Sequence, residues 1–97
     1  MSTLKLHAAA ERELREAFEY FEEQSPYRGV LFLDAFATAA ERLLQYPRAG
    51  RHLSGGVRRW VMANWRYSIL YSIEQHGIYV IAVAHQSRRP GYWKARR

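Results

Sequence analysis

The chain has 97 residues, room for one domain and not for two, and a domain this small buries a limited share of its surface. It has no Cys, which excludes a disulfide framework and thiolate chemistry; its four His lack the paired spacing of a zinc site, and no apolar run reaches membrane-spanning length. The net charge of +6 is uneven: residues 1–47 carry 5 Lys/Arg and 8 Asp/Glu, whereas residues 48–97 carry 10 Lys/Arg, a single acid, Glu74, and seven of the aromatic residues.

Thr3 to His7 alternates weakly through Leu4 and Leu6, as a short first strand does. From Ala8 the period changes. Leu14, Ala17, Phe18 and Phe21 follow the i, i+3, i+4, i+7 spacing of one helix face, while Glu11, Arg12, Glu13, Arg15, Glu16 and their neighbours fill the other faces. Ser25-Pro26 ends this helix, because a residue preceding Pro avoids the α region.

A second helix is expected from Arg28 to about Gln45, with Phe32, Phe36, Ala40 and Leu43 in one stripe and Tyr46-Pro47 as its stop. Two amphipathic helices joined by so short a connection form an antiparallel hairpin, which needs a flat surface to cover. Arg48 to Gly56 is read as a loop rich in Gly and cations.

Val57 to Ala63 is then a strand, Asn64-Trp65 a turn, and Arg66 to Ile73 a strand that alternates Tyr67, Ile69, Tyr71 and Ile73 against Ser68, Leu70 and Ser72. Gln75-His76-Gly77 is a tight turn. Ile78 to Ala84 is apolar on both faces and is expected as the covered central strand. Pro90-Gly91 breaks the pattern before a cationic tail. The order β-α-α-β-β-β argues an α+β fold, an antiparallel sheet with the helical hairpin on one face and cations with aromatics exposed together on the other.

Three stretches then resemble the RelE/ParE toxins of type II toxin–antitoxin systems, the plasmid-stabilisation type: YPRAGR (46–51), VRRWVMANWRYSILYSI (57–73) and IYVIAVAHQSRRPGYW (78–93). The resemblance spans nearly the whole chain. It implies a growth inhibitor neutralised by a cognate antitoxin; the residues themselves lead us to expect a cytoplasmic chain with no cofactor, metal or membrane partner, and leave the oligomeric state open. RelE-like members are metal-free endoribonucleases that cut mRNA on the ribosome. ParE-like members poison DNA gyrase without an established hydrolytic site. The long hairpin is more similar to ParE. So is Ser68, which stands where RelE-type enzymes carry Arg; Arg66 lies one residue before the strand's first Tyr, a step that changes faces.

If the chain is an endoribonuclease, His85, Tyr92 and Arg66 are its candidate catalytic residues. His85 would move a proton, arginines would steady the phosphate charge, and Tyr92 or Trp93 would stack a base. If it is not an enzyme, Arg58, Arg59, Arg88, Arg89 and Trp93 are the candidate contacts to a target or nucleic acid. Arg58 and Arg59 are adjacent, so only one of them lines any given face. Trp93 either pins the tail to the sheet or meets a partner, and Tyr67, Tyr71 and Trp60 are expected in the core. A third alternative is a degenerate, non-toxic module that binds only the antitoxin.

Overall fold

A computed structural model describes residues 2–96. The elements are β1 (Thr3–Leu6), α1 (Ala8–Gln24), α2 (Arg28–Gln45), β2 (Arg51–Ser54), β3 (Val57–Met62), β4 (Tyr67–Glu74) and β5 (Gly77–His85). Short 3-10 turns follow α2 at Pro47–Ala49 and close the tail at Lys94–Arg96. The sheet order is β1-β5-β4-β3-β2, with β1 parallel to β5 and every other pair antiparallel. The expected α+β architecture is therefore the observed one.

His7 caps α1, its Nδ1 accepting the Ala9 amide at 2.9 Å. The hairpin lies on one sheet face: Ala10, Ala17 and Phe21 of α1 and Phe32, Phe36 and Leu43 of α2 meet Ile69, Tyr71, Ile78 and Val80. Phe21 and Phe32 pack against Trp65 and Tyr67 with ring centroids 5.0–5.9 Å apart. This explains a Trp in a turn: Asn64 and Arg66 adopt positive φ in the β3–β4 connection, and Trp65 is tucked between the two helices.

Residues 51–54, taken as loop, form the fifth strand, and Gly55-Gly56 is its hairpin turn to β3, both glycines at positive φ (56° and 79°). A two-residue turn of this hand matches the right-handed twist of the strands it joins, and Gly adopts it without steric cost.

The preceding loop is fixed from below. The Tyr71 hydroxyl donates to the Pro47 carbonyl (2.7 Å) and accepts from the Gly50 amide (2.9 Å). Gly50 is obligatory here, because a Cβ would stand 2.5 Å from that hydroxyl oxygen.

The other sheet face carries a second, smaller apolar cluster: Val57, Leu70, Ile81, Ala82 and Ala84, closed by Trp93. A bulge between β4 and β5 leaves Ile81 unpaired and turns both it and Ala82 to this side. The covering is done by the tail, not by a helix. Trp93 is 7% exposed and pins the C-terminal segment to the sheet.

Candidate functional site: a cationic groove on the helix-free face

β1 is shorter than β5, so among the described residues no strand lies along the β1 side of β5 beyond Val80. Two side chains supply the missing partners. Glu13 Oε1 accepts the Val83 amide at 3.0 Å, and Arg96 Nη1 donates to the Ile81 carbonyl at 3.1 Å. The two then meet in a bidentate pair, 2.8 and 2.9 Å, and the Tyr92 hydroxyl donates to Glu13 Oε2 at 2.8 Å.

Glu13, read from the sequence as part of the polar helix face, is thus buried, 8% exposed, at the hub that ties helix, strand edge and tail together. Burial works against its charge, but Arg96, Tyr92 and the Val83 amide outweigh it and hold the carboxyl below its ordinary range. The Tyr92 hydroxyl is pushed well above its usual range by burial and by its bond to that carboxylate.

With the tail fixed, a groove of about 470 Å³ opens between it and the outer strands. Arg59, Arg88, Arg89 and Lys94 line it, with His85 beside them and Leu53 and Val61 open within it; no Asp or Glu is among the lining residues. His85 Nδ1 is bound by Ser87, through its amide (3.1 Å) and hydroxyl (2.7 Å), and the ring packs edge-on against Tyr67. An N–H donating to Nδ1 leaves the ring proton of a neutral imidazole on Nε2.

Of the residues singled out from the sequence, His85, Arg59, Arg88, Arg89, Tyr92 and Trp93 come together around this groove. Two do not. Arg58 belongs to the other side of β3, where it donates to the Gly50 and Arg48 carbonyls and secures the Tyr71 loop. Arg66 sits exposed on the β3–β4 turn, outside the groove, its carbonyl accepting the Gln86 amide. The expected exposed aromatics are also absent from the groove as free platforms: Trp93 is buried, and the guanidinium groups of Arg88 and Arg96 lie over the Tyr92 ring, 4.0 and 5.0 Å from its centre.

Glu13, Lys94, Arg96, Leu53 and Val61 were missed. For Glu13 the signal was available, since Ala10, Ala17 and Phe21 place it within the buried stripe of α1. For the others it was not, because only the folded tail and the unforeseen strand β2 bring them together.

No helix of the described residues is long and apolar enough to cross a membrane, and no group of three or more potential metal ligands occurs among them. No curated protein matches the chain. A chromosomal ParDE toxin–antitoxin system from P. aeruginosa contains a chain of the same fold, with a TM-score of 0.75 over 88% of this chain and 96% of that one at 18% identity. The family described as the ParE toxin of the type II toxin–antitoxin system parDE matches residues 4–90. The chain therefore belongs to the ParE toxins of type II toxin–antitoxin systems.

Proposed function

We propose that this toxin halts growth in the cytoplasm by binding DNA gyrase through the groove and tail, and that a cognate antitoxin neutralises it by covering the same surface. The observation that carries this reading is the gathering of Arg59, Arg88, Arg89 and Lys94 in one groove that no carboxylate lines. Such a surface attracts an anionic or acidic target and speeds its encounter.

The state of Tyr92 favours binding over RNA cleavage. Its hydroxyl already donates to Glu13 and two guanidinium groups lie over its ring, which speaks against a role as proton donor or as a base-stacking platform. Arg66 is not among the residues that line His85's groove, and its carbonyl accepts the amide of Gln86 beside it. The endoribonuclease alternative keeps one supporting observation: His85 itself shares the groove with the cations.

Purified protein added to gyrase is expected to stop DNA supercoiling, and supercoiling that continues at molar excess overturns the proposal. His85→Ala separates the alternatives. Growth inhibition is expected to survive it, whereas loss of inhibition together with cleaved transcripts in the wild type would move the chain to the endoribonucleases.

A further inference from the structure

Between Glu41 and Glu74 the chain carries no acid, and the arginines of that stretch do not all go to the groove. Successive strand residues face opposite sides of the sheet. Arg59 therefore lines the groove, while Arg58, opposite His52 on β2 and the core residue Tyr71 on β4, belongs to the helix side. There a second cationic cluster forms against the end of α2. Arg58 donates to the Arg48 and Gly50 carbonyls, at 3.3 and 2.8 Å, and so holds the segment that carries Arg48. The Arg42 guanidinium lies over the rings of Tyr46 and Trp60, 5.8 and 5.7 Å from their centres.

This cluster differs from the groove in one respect that selects its ligand. In the groove Trp93 is buried and two guanidinium groups, 4.0 and 5.0 Å away, cover the Tyr92 ring. On the helix side Tyr46 has one guanidinium at 5.8 Å and remains 57% exposed, with Arg42, Arg48 and His52 exposed around it. Glu41 precedes Arg42, but one step along a helix turns it about 100° away. Single-stranded nucleic acid is held by rings that stack its bases and by cations that track its phosphates. The helix-side cluster offers both. An acidic peptide would use the cations and leave the ring idle.

We propose that this cluster is a contact site for single-stranded nucleic acid, in which an unpaired base stacks on Tyr46, Arg42 and Arg48 meet the flanking phosphates, His52 offers a ring N–H, and Arg58 keeps Arg48 in place. Stacking on a single ring accepts any base, so the site reads the open strand and not its sequence. It lies across β3 from the groove, so a strand held here leaves the groove open to a protein. The inference stands apart from the gyrase reading.

The test uses the full chain and fluorescein-labelled oligothymidylate and oligouridylate of about ten nucleotides, within the site sizes of single-strand binders. Anisotropy is expected to show binding that weakens with salt, falls about tenfold in Tyr46→Leu and is retained in Tyr46→Trp. Arg42→Ser/Arg48→Ser is expected to weaken it far more than Arg59→Ser/Arg89→Ser, which removes the same charge from the groove. Each variant should keep the wild-type circular dichroism. Strands carrying 5-bromouracil are expected to crosslink to Tyr46. Binding of either strand in this pattern supports the proposal, and their ratio names the sugar. Four outcomes overturn it: no binding at low salt, Tyr46→Leu equal to wild type, crosslinks confined to Tyr92 and Trp93, or tighter binding of a duplex of equal length. Gyrase plays no part in the readout, so this inference and the gyrase reading fail separately.

Discussion

The two faces of the sheet are closed by unlike means. Toward the helices, Phe21 and Phe32 interlock with Trp65 and Tyr67, and most of the largest buried side chains, Tyr71, Phe32 and Leu43 among them, lie on that side. Toward the tail, a smaller cluster is closed by Trp93, with Tyr79 and Tyr92 packed against it, and the tail is fastened through the carboxylate of Glu13. The first face owes its stability to many packed side chains. The second depends on a single hub, and it leaves charge and aliphatic surface open. The larger apolar core and the open cationic surface thereby lie on opposite sides of one five-stranded sheet.

The sharpest test of the helix face is Phe32→Ala. Phe32 is fully buried and touches three other rings. The substitution is expected to cost about 4 kcal/mol, the usual scale for removing a buried aromatic side chain, read as a shift in the urea unfolding midpoint. For a domain this small that is a large part of the total margin.

The tail face is expected to fail at its hub. Glu13→Ala leaves Arg96 without its partner and the Val83 amide unmet, and is expected to cost about 3 kcal/mol, the lower end for breaking a buried pair. The loss should be local first: trypsin would cut at Arg88, Arg89 or Lys94 in the variant under conditions that spare the wild type.

The same carboxylate sets a pH dependence. Its folded pKa is depressed, so the stabilisation is complete above the ordinary carboxylate range of about 4.3 and is lost as pH falls through the lower folded value. The difference in melting temperature between wild type and Glu13→Gln is therefore expected to be full near neutral pH and to narrow in acid. A difference that is constant down to strongly acidic conditions would contradict the hub. Tyr71→Phe, which strands the buried Gly50 amide and frees the Pro47 carbonyl, is expected to cost about 1.5 kcal/mol.

How much of this could be read from the sequence follows from the range of the interactions. Period 3.6 over 8–45 and period 2 over 67–73 are local signals, and α1, α2 and β4 appear where they point. Strand β2 was hidden because four residues, RHLS, carry little alternation and are exposed on both sides; only the Gly-Gly turn marked it as half of a hairpin. Glu13 stands at a position of the buried stripe of α1, but its chemistry argues against burial. A carboxylate at a stripe position reads as solvated until Arg96, 83 residues away along the chain, is known to meet it. The cationic bias of residues 48–97 pointed to a basic surface but not to its membership. Adjacent arginines on β3 part company, Arg59 to the groove and Arg58 to the Tyr71 loop, and no local rule decides which goes where.

That divergence yields the smallest expected effect on stability and the clearest contrast between the faces. Arg59 and Arg89 are exposed and line the groove. Replacing both with Ser is expected to change unfolding free energy by less than about 0.5 kcal/mol, the usual limit for surface substitutions away from structural features. Arg58→Ser, one residue away, removes donors to two carbonyls of the 46–50 segment and is expected to cost more, about 1 kcal/mol. Growth inhibition should rank the other way: lost in the Arg59/Arg89 double variant and retained in Arg58→Ser at a temperature where it stays folded. Induction of each gene alone, scored by colony formation beside a denaturation curve for each purified protein, measures both orders at once. If toxicity instead tracks stability across all three proteins, the groove has no role separable from the fold, and the division of labour between the two faces fails.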